Sequence, residues 1–342
     1  MHFSFSCYVP TILPVDDAIG LSRAHEALLN EIDGIELQLK LLFTGAMTTT
    51  VTVEAYRDSH KHIEFASAWR PRPTGRHHAF MRLVGSFEAN VDSIKIGDEV
   101  SDSRLSTLMI ESSIVEALEP LVAKIALCAA IAKPGAVEFD PGLIFVNDAE
   151  VGETRAFVST LMPARERAFK RNWPPIQDMP FEAVWRWIEA IPSIAGGVGK
   201  GKVGRGLAAF AYLLRERHSS TPVDLLWGLI GLEALYSGSN EGLSEQLRAK
   251  SEVLLGPRFE FKKQVNDMYA FRSKLVHGGA DLPFPMHLED EETAIRQFGD
   301  DQYDAELTAS AMLVSTLQAL AQKGWNELVF EYKLKEPGAR EA

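Results

Sequence analysis

The chain has 342 residues, 46% of them hydrophobic and 24% charged, which excludes wholesale disorder and leaves room for two domains. Its formal net charge of -12 excludes a general nucleic-acid coat, so any RNA contact has to come from a local basic patch. Two cysteines far apart in sequence, Cys7 and Cys128, exclude a disulfide framework and a cysteine zinc motif and fit a reducing cytoplasm.

The first residues lack a basic stretch followed by a long apolar run, so no signal peptide is expected. The longest apolar run, Leu121 to Ala132, contains Lys124 and is too short for a bilayer, so no membrane association is expected.

In chain order, His2 to Tyr8 reads as a strand. Asp16 to Ile32 reads as a helix, because Ala18, Leu21, Ala24 and Leu28 recur at helical steps. Ile35 to Phe43 alternates apolar and polar residues and reads as a second strand. Thr48 to Tyr56 and Phe80 to Phe87 give two more. A long apolar helix is expected over Ser113 to Ala132, stopped by Lys133-Pro134-Gly135. Gly142 to Val146 and Thr154 to Leu161 read as strands. The pattern is α+β rather than a regular βαβ alternation.

Arg165 to Pro180 is charged and rich in proline, and marks a domain boundary. Residues 1–175 are therefore expected to form an α+β domain and 176–335 an all-α antiparallel bundle. The expected helices are Phe181–Ile191, Gly206–His218, Val223–Tyr236, Leu243–Leu255, Phe259–Val276 and Asp304–Leu328. Thr221-Pro222 reads as a cap and first helical position. Gly256-Pro257 and Gly278-Gly279 read as helix stops.

Several stretches invite a chemical reading. Gly196 to Lys202 nearly spells a phosphate-binding loop, but Val203 stands where a hydroxyl should reach a metal and no buried strand precedes it. A basic connector between helices is the plainer reading. His60 and His62 on one strand face, with His77 and His78 in a basic loop, lack the further ligands a zinc site needs, although that loop could touch a phosphate backbone. The run Glu289 to Glu292 reads as a solvated loop or helix start. No metal and no cofactor are expected.

The segment AFRSKLVHGG, residues 270–279, is different. RNA carries its own nucleophile, the 2′-hydroxyl, so its cleavage needs a group that moves protons near neutral pH and a fixed positive charge on the phosphate. His277 and Arg272 are those residue types. On an unbroken helix they lie about 140° apart, so they converge only if the helix breaks before His277 or a second subunit supplies the matching pair. Seven bases and four acids between Glu245 and His277 give a local charge of +3, with Arg248, Lys262, Lys263 and Lys274 as RNA-binding candidates.

Met268 to Gly278 resembles the signature of the HEPN family, and most closely its Apea-like group: Arg, a short spacer, then His, with a preceding Tyr, a Ser after the Arg and a Gly after the His. Leu225 to Tyr236, an apolar helix carrying Glu233, and Leu243 to Leu255, carrying Arg248, also resemble that family. The resemblance spans about residues 181–330. It implies a helical bundle that dimerises so that two Arg/His motifs face one cleft. It also implies a metal-independent endoribonuclease of phage-defence or toxin–antitoxin type, acting on an RNA substrate. Arg272 would then stabilise the phosphate and His277 transfer protons, with Ser273, Glu233 and Tyr269 in support. By analogy, the first domain would sense or select a target through a ligand or protein trigger. A non-catalytic HEPN module that binds nucleic acid or protein is the alternative, and a nucleotide-handling enzyme using Gly196 to Lys202 is a third.

Overall fold

The computed structural model describes residues 1–12, 19–42, 46–56, 77–91, 94–96, 99–100, 102–157, 161–215, 223–238, 242–257, 262–284 and 293–331. An antiparallel sheet region comes first and a mostly helical part follows.

The first strands are β1 (His2–Ile12), β2 (Glu36–Leu42), β3 (Ala46–Tyr56) and β4 (His77–Glu88). Short strands follow: β5 (Lys95–Ile96), β6 (Glu99–Val100), β7 (Glu138–Phe139), β8 (Leu143–Val146) and β9 (Ala149–Glu153). Seven of them form one sheet in the order β2-β3-β4-β1-β8-β9, with β7 also pairing to β1. All the pairings are antiparallel. Alternation explains the layer. Phe3, Phe5, Cys7 and Val9 of β1 are buried, as are Leu37, Leu39 and Leu41 of β2 and Met81 and Leu83 of β4.

That apolar face packs on α1 (Leu21–Ile32) and α2 (Ser103–Ala132). The start of α1 is Leu21, later than the expected Asp16, with Gly20 in a left-handed conformation before it. Conversely, α2 begins ten residues before the expected Ser113. Asp102 caps it, its side chain accepting the Leu105 N–H at 2.8 Å. Its first turns are polar, so apolar content alone placed its start too late.

The expected strand Thr154–Leu161 does not form. Residues 154–157 are irregular apart from one bridge, Phe139 to Phe157, and Leu161 opens a helix, α3 (Leu161–Arg171). This helix occupies part of the stretch read as a boundary, because Ala164 and Ala168 bury one narrow face. The remaining helices are α4 (Phe181–Glu189), α5 (Pro192–Ala195), α6 (Gly201–Leu213), α7 (Val223–Tyr236), α8 (Leu243–Leu255), α9 (Lys262–Val276) and α10 (Thr293–Lys323). No convincing strand was expected after Phe181, and the described residues there contain none.

The two parts share one apolar core, in which Phe3 and Leu83 of the sheet belong with Leu232 and Leu313 of the bundle. α2 runs through both, touching β2 and β9 as well as α4 and α10. Polar contacts lock the junction. Glu31 Oε1 pairs with the buried Lys133 at 2.8 Å, and Glu31 Oε2 accepts the Phe181 N–H at 2.6 Å at the start of α4. The Gln318 amide on α10 donates to both Ile131 O and Gln177 O at 2.7 Å.

Candidate functional site

Three helices, α7, α8 and α9, hold the residues singled out in the sequence, and α10 sets their spacing. Gly228 and Gly231 on α7 lie against α10; a Cβ on either would come within 2.9 Å of Ala309 Cβ or 2.8 Å of Leu313 Cδ2. This close approach seats α7, so that Glu233, one turn before its end, stands at the edge of the core. α9 buries Val265, Met268 and Phe271, and the Phe271 ring packs on Phe298 of α10 at 5.4 Å. The residue after Phe271 is Arg272, which turns towards α7.

Arg272 Nη2 lies 3.6 Å from Glu233 Oε1, with 26% and 20% of the side chains exposed. The distance is that of an ion pair without a good hydrogen bond. Burial pushes the Glu233 carboxyl above its ordinary range, against the pull of Arg272. Tyr269 shares the pocket, and its phenol is pushed up by burial first and then by the Glu233 charge. The Tyr269 hydroxyl and the Glu233 carboxyl face each other and their contact contributes to both shifts, although neither the hydroxyl nor Glu233 Oε1 makes a hydrogen bond of good geometry.

The end of α9 settles one of the two routes by which Arg272 and His277 could meet. α9 ends at Val276, but its ladder is unbroken up to the next residue, because the His277 N–H still donates to Ser273 O at 3.0 Å. Only then does it stop, with Gly278 at φ 71° and the Gly279 N–H donating back to Lys274 O at 2.7 Å. His277 is exposed and follows Arg272 by about 140° around the helix axis, so helix geometry within one chain does not bring the pair together.

The basic set is also divided. Lys274 is exposed beside a cleft of about 240 Å³ between α9 and α10, lined by Asp267, Asp301 and Asp304. That acidic wall would repel a phosphate. Lys262 and Lys263 are exposed at the far end of α9, about 20 Å of helix from His277. Lys250, counted in the positive patch, is buried and structural. Its ammonium donates to Tyr236 O at 2.7 Å and Gln246 Oε1 at 2.8 Å, closing the end of α7. Arg248 sits on the α9 side of α8, with Nη1 on Asn266 Oδ1 at 3.2 Å. Asn266 and Ser237 belong to this region and carried no signal in the sequence, since neither has a charge or a distinctive spacing.

The other candidates lie elsewhere. The glycine-rich stretch follows helices α4 and α5, not a strand, and its Gly201 and Lys202 already belong to α6. The strand–loop–helix frame of a phosphate-binding loop is therefore missing. His77 and His78 begin β4 instead of lying in a loop. His60, His62, Thr221-Pro222 and the run Glu289 to Glu292 lie outside the described residues. Among the described residues, no group of His, Cys, Asp and Glu could hold a metal, and no helix is long and apolar enough to cross a membrane.

Comparison of the chain with known protein families, with curated proteins and with solved structures finds no match.

Proposed function

We propose that this chain is a cytoplasmic endoribonuclease of the Apea-like HEPN type, acting as a homodimer and needing no metal. The observation that carries the reading is the end of α9, where Arg272 is held beside Glu233 and His277 stands exposed on a closing turn. Each half lacks its complement in its own chain, as expected of a site completed between two chains. The outer face of α7 suits such an encounter. Val223 and Ile230 are 44% and 47% exposed there, and Glu233 lies one turn beyond Ile230.

In the proposed reaction, the 2′-oxygen attacks phosphorus while His277 takes its proton. Arg272 holds the non-bridging oxygens as charge builds on them. The P–O5′ bond breaks, and the protonated imidazole of the second copy gives its proton to the departing 5′-oxygen. The products are a 2′,3′-cyclic phosphate and a 5′-hydroxyl. Ser273 and Lys274 flank Arg272 on the exposed side, with Ser273 one turn before His277. The sheet region would select the target or receive the trigger, in the manner of a defence or toxin effector.

The test is cleavage of end-labelled RNA in EDTA by wild type, Arg272→Ala and His277→Ala. Wild type should leave cyclic-phosphate ends, and each variant should lose on the order of 10²-fold or more in rate. Cleavage that persists in purified His277→Ala would sink the proposal. The divergence of Arg272 and His277 within one chain favours a second reading, a HEPN module that binds RNA or protein without cutting. Under that reading His277→Ala leaves the phenotype and RNA affinity unchanged.

A further inference from the structure

The stretch Gly196 to Lys202 has no part in the ribonuclease reading, and its packing gives it another use. The chain before α6 folds back on the first turns of that helix. A Cβ on Gly204 would collide with Ser193 Oγ, and a Cβ on Gly199 with Gly204 O and Ala208 Cβ, so glycine is what allows the approach. Because these positions carry no side chains, a cavity of about 240 Å³ stays open between this connector, α2 and α6. Much of its wall is apolar, from Leu127 of α2, Ile194 of α5, and Leu207 and Ala211 of α6. The α6 side of the cavity is a single stripe that runs from Gly204 to Arg215 at steps of three and four residues. Eleven residues of helix make that stripe about 16 Å long.

Arg215 stands exposed at the far end of the stripe. Its guanidinium lies over the Tyr212 ring at 4.9 Å, and that ring stacks on Trp227 at 4.3 Å. The stack steadies the charge and leaves its donors open to solvent. Among the described residues, the Arg215 side chain makes no ion pair or hydrogen bond. The surroundings are positive as well. Between Ile191 and Arg215 the chain has four bases (Lys200, Lys202, Arg205 and Arg215) and no acid, within a protein of net charge -12. We infer that this cavity is a binding site for an unbranched aliphatic carboxylate. The hydrocarbon chain lies along the α6 stripe, and the carboxylate pairs with the Arg215 fork at the mouth. The volume is small beside most ligand pockets, which suits a short chain. An aromatic ligand would find no free face on Tyr212, because Trp227 and Arg215 cover the two sides.

The experiment is calorimetric titration of the full chain with octanoate, hexanoate and octanol. Octanoate should fill one site. Hexanoate should bind about 16-fold more weakly, roughly fourfold for each methylene lost from the apolar wall. Octanol should bind about tenfold more weakly than octanoate, because it forfeits the charge-assisted pair. Arg215→Gln should bring octanoate down to the level of octanol and leave octanol unchanged. Ala211→Leu, which fills the cavity, should remove both. Arg215 is exposed and Ala211 is half-buried, so neither variant threatens the fold. Three results would each overturn the inference: no heat with octanoate, octanoate binding that survives Ala211→Leu, or equal affinity for octanoate in wild type and Arg215→Gln. Neither Arg272 nor His277 lines the cavity, so the outcome is independent of whether the chain cleaves RNA.

Discussion

The sheet region and the helical region draw on one apolar core but treat their polar atoms differently. In the sheet, the antiparallel ladders satisfy the backbone, and one strand face is apolar in strict alternation. Arg82, in the middle of the other face, is stabilised by Glu54 at 3.2 Å and the Tyr8 ring at 5.2 Å, with only Nε lacking a partner. At the ends of α7, α8 and α9, by contrast, polar groups meet less well: Arg272 Nη2 stands 3.6 Å from Glu233 Oε1, and Ser237 Oγ and Arg248 Nε are buried without a hydrogen-bond partner. Unmet polar atoms of that kind reduce stability, so this end of the bundle gives up stability that the ladders of the sheet keep.

The largest effect tests whether the two regions are one unit. Leu313→Ala in the bundle should cost about 3 kcal/mol. Because the core is continuous, tryptophan fluorescence, which reports mainly Trp173, Trp185, Trp187, Trp227 and Trp325, should shift together with hydrogen exchange in β1. A fluorescence shift with unchanged exchange in β1 would divide the molecule into two independent units.

Next in size is the polar lock between the regions. Glu31→Ala strands the buried Lys133 ammonium and uncaps α4, and should cost about 3 kcal/mol in urea unfolding. Glu31→Gln can keep the Phe181 contact and should cost less. Equal losses in the two variants would remove the charge from the explanation.

A smaller effect concerns Glu233. Burial raises its carboxyl pKa, so the fold favours the protonated form. The stabilisation from that form is full below the unfolded pKa and is lost as pH rises through the folded one. Glu233→Gln, which resembles the neutral acid, should therefore melt slightly higher than wild type at neutral pH. The gain should fade towards roughly pH 4, where wild type is itself protonated. A variant less stable than wild type at neutral pH would mean that the Arg272 ion pair outweighs the desolvation.

The smallest expected signal is that of the thiols. Cys7 and Cys128 are fully buried, and burial pushes the Cys7 thiol up to about 12 and Cys128 in the same direction. Neither should react with iodoacetamide at neutral pH until the chain unfolds. Rapid labelling of Cys7 in the native protein would show that the sheet opens independently of the bundle.

Local pattern made much of the fold readable. Val223–Tyr236 and Leu243–Leu255 form helices with the expected bounds, since apolar spacing and end signals agree there. The errors share a cause. The polar first turns of α2, the narrow alanine face of α3 and the irregular chain after β9 owe their conformation to partners distant in sequence. For the candidate site, the sequence picked out Arg272, His277, Glu233 and Tyr269 by residue type and spacing. It could not show that Lys250 and Lys274 face other tasks, nor that Arg248 donates to Asn266.

By itself the sequence determined the chemistry on offer: a guanidinium and an imidazole five residues apart, an acid in an apolar helix and a stop at two glycines. Side-chain types and their period along the chain are local properties, so they are legible without a fold. Only the tertiary structure decided which of those groups meet. It set Arg272 against Glu233 at 3.6 Å and kept the helical hydrogen bonding up to the His277 N–H, just past the last residue of α9. Those outcomes depend on how α7 and α9 pack against α10, where close contact fixes positions to within a few tenths of an ångström.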